Sequence, residues 1–142
     1  EIAPAKSLPF EDGRFDVVVA FTVLCFVADA GPIFKEIARV LKPGGRLVIG
    51  ELNRWSTWSA GRRMRAWLGS ELWRRGRFRT PSELQALARS AGLEPGPVHG
   101  ANYYPRSARL ARLMARHDRR LRELTTVGAA FIALTATKPR AL

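Results

Sequence analysis

Few side chains in this chain can move a proton or attack a carbon, and they are scattered. His99, His117 and Glu51 can titrate, which makes them candidate bases, but nothing in the spacing gives any of them a catalytic role. His117 falls beside an apolar stripe and reads as a packed histidine; Asp118, surrounded by arginines, reads as an ion-pair partner. Cys25 is the single cysteine, so no internal disulfide can form. Its setting, Leu24-Cys25-Phe26-Val27, is apolar, and a thiol there behaves as a small buried hydrophobe rather than a nucleophile. No Cys/His cluster has metal-ligand spacing, so no metal is expected. The densest chemistry lies in 53–79, where all 4 tryptophans are interleaved with arginines. Met64, Trp67, Leu68 and Leu72 can share one helical face there. Such a segment can close over a small ligand, rest on a membrane interface with its arginines on phosphates, or pack on its own domain beneath arginine stems.

The formal net charge of +12 comes from 20 arginines and 4 lysines against 12 acids, concentrated in 54–79 and 106–122. It admits nucleic acid, an anionic membrane or an acidic substrate as partner, with a solvated helical face as the simpler reading. A length of 142 and a hydrophobic fraction of 46% fit one globular domain over 1–142, with 53–79 as a helical insert or lid. The longest apolar runs, 17–28 and 127–136, fall short of the roughly 20 residues that cross a bilayer. No basic leader followed by an apolar stretch opens the chain, and Glu1 stands where Met would be. The expectation is a processed chain or a fragment, acting in the cytoplasm.

One stretch organises the rest: Glu36-Ile37-Ala38-Arg39-Val40-Leu41-Lys42-Pro43-Gly44-Gly45-Arg46-Leu47-Val48-Ile49-Gly50. Ile33, Phe34, Ile37, Val40 and Leu41 recur at helical spacing and give one apolar stripe. Pro43 cannot continue that helix, and Gly44 suits the third position of a type II turn, which needs φ > 0. The apolar run 46–52 then predicts a strand covered on both faces. Upstream, 14–21 predicts a second buried strand, entered through the turn Glu11-Asp12-Gly13. Strand, helix, turn and strand make a right-handed βαβ unit of a parallel sheet.

Further along, Asp29 is the expected N-cap of the first helix. Thr80-Pro81-Ser82-Glu83 is a capping box, followed by the stripe Leu84, Leu87, Ala88 and Ala91, with Gly92 ending the helix. A strand is expected over 98–104. A helix is expected over 107–124, with Leu110, Met114, Leu121 and Leu124 on one side and arginines on the other. The last element, 125–138, is apolar on both faces and predicts an interior strand, its small Gly128, Ala129 and Ala130 letting helices approach; Pro139 ends it.

Ser7-Leu8-Pro9-Phe10-Glu11-Asp12-Gly13-Arg14-Phe15-Asp16-Val17-Val18, followed by the stretch 36–45, resembles the class I S-adenosylmethionine-dependent methyltransferases, in the branch of the ubiquinone and menaquinone C-methyltransferases. Ala91-Gly92-Leu93 is similar to a further element of that family. The resemblance implies a Rossmann-like α/β sheet whose final strand is antiparallel and slots between the two before it. It implies S-adenosyl-L-methionine as cofactor, with Ala5 and Lys6 on the adenine side and Phe21 and Thr22 at a strand tip against the cofactor. Pro4 departs from the acidic residue common there. Cys25, Phe26, Trp55 and Trp58 would face the methyl acceptor, Leu24 would be core, and 53–79 would be the variable insert that often forms a lid.

The family's first strand, Gly-rich turn and ribose-binding acid have no counterpart, since Gly44-Gly45 is a turn between elements. The resemblance therefore implies the C-terminal half of a sheet truncated at its N-terminus. The function it implies is methyl transfer to a small-molecule acceptor as part of a larger or split enzyme, the chain alone binding cofactor poorly. The missing half, or a second copy, would pair with the open edge of the 15–21 strand. The alternative is a non-enzymatic basic module for nucleic acid or an anionic membrane surface, although nothing resembles a named nucleic-acid motif.

Overall fold

The computed structural model describes residues 2–104, 112 and 120–140. Its elements are β1 (Phe15–Phe21), a 3-10 turn (Leu24–Phe26), α1 (Gly31–Val40), β2 (Leu41–Leu52), α2 (Thr57–Trp67), α3 (Glu71–Arg74), α4 (Pro81–Ser90), β3 (Glu94–Ala101) and β4 (Phe131–Thr137). They form one four-stranded sheet in the order β1-β2-β4-β3. β1 and β2 are parallel neighbours, while β4 lies antiparallel between β2 and β3. This is the expected βαβ unit with the expected antiparallel final strand.

The registers decide which residues make the core. Val18 pairs with Leu47 and Ala20 with Ile49, and across the other side of β2 Leu47 pairs with Ala136, Ile49 with Leu134 and Glu51 with Ile132. With a side-chain period of two, these positions share one face. Ile33, Phe34 and Ile37 of α1 and Leu84 and Ala88 of α4 join that face in one buried cluster. Full burial of each large side chain there contributes about 1.5–3 kcal/mol. The opposite face is open at β1, where Val17 is 53%, Val19 62% and Phe21 62% exposed, and Ala133 and Thr135 of β4 are exposed as well.

Gly44 turns the chain as expected at φ +81°, but β2 begins at Leu41 rather than 46, with Pro43 and Gly44 in an irregularity between the Leu41 and Arg46 pairs. The junction is stitched to the end of β4: the Gly44 N–H donates to Lys138 O (2.8 Å) and the Lys138 N–H to Gly45 O (2.8 Å). Lys138 Nζ also donates to Ala38 O of α1 (2.6 Å) and to Leu41 O at its C-cap (2.7 Å), placing a cation at the negative end of that helix. A second clamp holds the entry loop. Arg39 donates to Leu8 O (3.1 Å) and Phe10 O (2.8 Å) and pairs with Asp12 and Glu36, while Glu36 accepts the Leu8 N–H (2.8 Å). The Arg39 guanidinium, then the Leu8 N–H, hold the Glu36 carboxyl down at about 2. Because that value is depressed, the clamp is in force above the ordinary carboxylate range and is lost as pH falls toward 2.

Several local expectations need correction. The N-cap of α1 is Ala30; Asp29 acts one position earlier, its Oδ1 accepting the Gly31 N–H at 3.0 Å. β3 begins at Glu94 rather than 98, because Pro95 and Pro97 are tolerated on a strand paired on one side only. It stops at Ala101, where Asn102 turns the chain with φ +61°. β4 begins at Phe131 rather than 125, and Gly128 to Ala130 form a loop, Gly128 at φ +87°. Met64, Trp67, Leu68 and Leu72 do not share one helical face, because α2 ends at Trp67 and Leu72 lies in α3, and all four are exposed among the described residues. The expected helix over 107–124, with His117 and Asp118, lies outside the described residues except for 112 and 120–124, which are helical. The capping box is present in full, with Thr80 Oγ1 accepting the Glu83 N–H and the Glu83 carboxylate accepting the Thr80 N–H.

Gly45 and Gly61 offer a paired test. A Cβ at Gly45 would lie 2.8 Å from Lys42 O and 3.2 Å from Asp16 O, both backbone atoms, whereas one at Gly61 in α2 meets nothing within 4 Å. Gly45→Ala is expected to destabilise by about 1–3 kcal/mol in urea unfolding, and Gly61→Ala to stabilise by about 0.5–1 kcal/mol. Equal behaviour of the two variants would contradict the close approach at the β2 entry.

Candidate functional site

The carboxyl ends of β1 and β2 lie side by side, as parallel strands require. At the β1 tip Phe21 is exposed and its ring lies over Gly50, so close that a Cβ there would come within 2.6 Å of the ring. Thr22 follows with φ +49°, an unusual conformation for a β-branched residue, held by its N–H donating to Gly50 O at 2.8 Å. Strain of this kind is tolerated where the surroundings over-determine the backbone, and such places cluster at working sites.

Those surroundings are identifiable. Glu51 continues the inward row of Leu47 and Ile49, so a carboxyl takes a core position with only 2% exposure. Its Oε1 accepts the Leu24 N–H at 2.7 Å. From the other side Arg79 donates to Leu24 O through Nη1 and to Val27 O through Nη2, the latter at 2.9 Å. The Arg77 N–H donates to Cys25 O at 2.6 Å. Every polar group of the turn 24–27 named here is thus satisfied from β2 or from the strand-like run 77–79. Burial pushes the Glu51 carboxyl up, against the Leu24 N–H and the Arg79 charge. The Cys25 thiol is pushed up to about 11, first by burial and then by Glu51, so it stays protonated, and it donates to Thr22 O at 3.2 Å. A buried thiol is what the apolar setting implied.

Asn53 extends the same construction. It is fully buried, its Nδ2 donating to Thr126 O (2.7 Å) and Ala129 O (3.0 Å) and its Oδ1 accepting the Trp55 N–H (3.2 Å). Ser56 then caps α2, accepting the Ser59 N–H at 3.1 Å. The insert is therefore launched from a fixed point. Arg62 lies over two rings, 5.8 Å from Trp58 and 5.0 Å from Trp73, which ties α2 to α3. Trp73 stands 6.4 Å from Phe26 and 6.2 Å from Phe78. Trp58 and Trp73 border a pocket of about 400 Å³.

The residues singled out from the sequence fall into three places. Phe21, Thr22, Cys25 and Phe26 are together at the β1 tip, and Trp73 joins them through Phe26. Trp58 donates its indole N–H to Tyr104 O at 3.0 Å, and Trp55 is exposed beside Arg54. Ala5 and Lys6 lie in the turn closed by the Ser7 N–H on Pro4 O (2.9 Å), Ala5 packed on the main core and Lys6 exposed. Sequence reasoning missed the positioning roles of Glu51, Arg79 and Asn53. The signal for Glu51 was available: an acid at the inward register of an apolar strand. Among the described residues no group of three or more His, Cys, Asp or Glu could hold a metal ion, and no helix is long and apolar enough to cross a membrane.

Comparison with known proteins agrees with this geometry. Residues 1–49 match the family model described as a methyltransferase domain. An uncharacterized protein of Mycobacterium tuberculosis is 33% identical over 134 residues, covering 94% of this chain and 45% of that protein. The ubiquinone biosynthesis O-methyltransferase of Ralstonia nicotianae is 34% identical over 120 residues, covering 78% of this chain and 49% of the enzyme. A crystal structure of an S-adenosylmethionine-dependent methyltransferase from Thermotoga maritima superposes with a TM-score of 0.73 at 26% identity, over 96% of this chain and 61% of that one. The chain thus spans about half the length of the relatives it matches. Over the stretch it spans, the family match, the related sequences and the shared fold support the class I S-adenosylmethionine-dependent methyltransferases as its family. The cofactor of that family is S-adenosyl-L-methionine. The residues present fit one side of it, since the β1 tip leaves Phe21 and the turned backbone of Thr22 open to a ligand, while a Gly-x-Gly-x-Gly turn is absent from the chain.

The sign of the Glu51 shift fixes a pH test. A raised carboxyl means that the folded chain holds more protons than the unfolded one, so stability falls as pH climbs above the ordinary carboxylate range. Glu51→Gln keeps an acceptor for the Leu24 N–H and should gain stability over the parent as pH rises toward 7, with no gain below pH about 4. Glu51→Ala should lose about 1–3 kcal/mol by leaving that N–H unpaired. A pH-independent difference between parent and Glu51→Gln would contradict the buried, raised carboxyl.

Proposed function

We propose that this chain is the acceptor-side half of an enzyme that transfers a methyl group from S-adenosyl-L-methionine to a small-molecule acceptor. The observation that carries the reading is the β1 tip, where an exposed Phe21 and a strained Thr22 are backed by the buried Glu51 and Arg79. Ligands of parallel α/β sheets bind outside such carboxyl ends. When bound, the cofactor supplies a methyl on a sulfonium, an electrophile that needs alignment and a dry path more than acid or base help. Ala5 and Lys6 would hold the adenine side, and Phe21 and Thr22 the face of the cofactor toward β1. Phe26, with Trp58 and Trp55 from the insert over 53–79, would bound the acceptor, the insert acting as a lid. Cys25 would set the position of Thr22 through its hydrogen bond to Thr22 O. No base is assigned.

The missing Gly-rich turn motivates the second element of the proposal: cofactor affinity requires an N-terminal half, paired with the open edge of β1. Val17, Val19 and Phe21 form an uncovered apolar row beside that edge, which also favours pairing with a second copy. Calorimetric titration of S-adenosylmethionine should show little binding to the 142 residues alone and micromolar binding once the N-terminal half is supplied. In sedimentation the chain alone should self-associate, and Val19→Lys should reduce this. A monomeric 142-residue chain that binds the cofactor at micromolar concentration would overturn the proposal.

A membrane-surface role for the insert is the second reading, favoured by the exposed Met64, Trp67, Leu68 and Leu72 among arginines. Binding to anionic vesicles that partly survives high salt would support it, because the apolar term is not screened.

A further inference from the structure

A cleft of about 550 Å³ opens between the loop before α1, the insert and α4, and it is lined by Arg54, Arg63, Arg77 and Arg79. Only two acids, Asp29 and Glu83, share the lining, and both are occupied by helix ends. Asp29 accepts the Gly31 N–H, and Glu83 accepts the Thr80 N–H at 2.7 Å. The arginines are not equivalent. Arg79 is spent on Leu24 O and Val27 O, and Arg54 faces Glu83 at 3.5 Å. Arg63 and Arg77 are exposed and have no side-chain hydrogen bond or ion pair among the described residues.

Guanidinium groups stay charged at any physiological pH, and a cleft lined by one sign of charge focuses its field on what enters. The rest of the lining is apolar or small, with Phe78 and Leu87 the largest such side chains. The volume lies within the range of small-molecule sites. We propose that this cleft binds a small organic anion, its phosphate or carboxylate head on Arg63 and Arg77 and its apolar body against Phe78 and Leu87. The head is an oxyanion because the planar fork of a guanidinium matches two oxygens of either group. The lining of the cleft includes none of Phe21, Thr22, Cys25 or Phe26. It adjoins the same turn, since Arg77 and Arg79 hold the carbonyls of Leu24, Cys25 and Val27.

The test is calorimetric titration of the full chain with phenyl phosphate, benzoate and inorganic phosphate. Saturable one-to-one binding is expected for at least one of the aromatic anions, tighter than for inorganic phosphate; comparing the first two identifies the head group. Arg63→Gln combined with Arg77→Gln should weaken it by about tenfold or more, the effect of losing charge-assisted hydrogen bonds. Since neither side chain has a partner to lose among the described residues, the thermal midpoint of this variant should match the parent. Arg89→Gln, an exposed arginine of α4 outside the cleft, should bind as the parent does. Unchanged binding in the double variant, an equal loss in Arg89→Gln, or no binding of any probe at millimolar concentration would overturn the proposal.

Discussion

Everything in this structure depends on β2 being hydrogen-bonded along both edges, parallel to β1 on one side and antiparallel to β4 on the other. A parallel pair needs a crossover, which α1 supplies, and the crossover must end where β2 begins. The turn at Pro43 and Gly44 makes that possible only because Lys138, from the far end of β4, holds both the turn and the last carbonyls of α1. One residue thus ties together the start of the central strand, through its backbone, and the end of the first helix, through its side chain. The core follows from the register, as Leu47 and Ile49 find Val18 and Ala20 on one side and Ala136 and Leu134 on the other.

The opposite end of β2 does different work. A carboxyl in a core position costs desolvation, which an unpaired group could not recover. At Glu51 the cost is offset only in part by the Leu24 N–H and the nearby Arg79 charge, which is why the carboxyl is pushed up, and the turn after β1 is held to β2. An apolar residue at 51 would fill the space but leave the Leu24 N–H without its acceptor. The buried acid is therefore best understood as a scaffold for the β1 tip, with Asn53 performing the same service for the start of the insert.

The fold was legible in the sequence where a residue acts through its own backbone or its own periodicity. Pro43 and Gly44, the stripe of α1 and the Thr80–Glu83 box all declare themselves within a few residues. Elements whose limits depend on distant partners were misread. β3 starts early because it is an edge strand, and β4 starts late because Asn53 claims the carbonyls of Thr126 and Ala129. The site divides in the same way. Phe21, Thr22, Cys25 and Phe26 follow from the end of a strand, whereas Arg79 reaches Leu24 across 55 positions and nothing local announces it. Met64, Trp67, Leu68 and Leu72 have helical spacing, yet α2 ends at Trp67 and all four are exposed, so periodicity alone announces neither a continuous helix nor its burial.

If the β1 tip is the working end of the sheet, a bound cofactor must protect it. The direct measurement is amide hydrogen exchange on the chain joined by its N-terminal half, with and without S-adenosylhomocysteine. The account predicts slowed exchange in 5–8 and 21–27, at the carboxyl end of β1, with little change at the opposite end of the sheet around 42–46. Binding that protected 42–46 while leaving 21–27 untouched would contradict it.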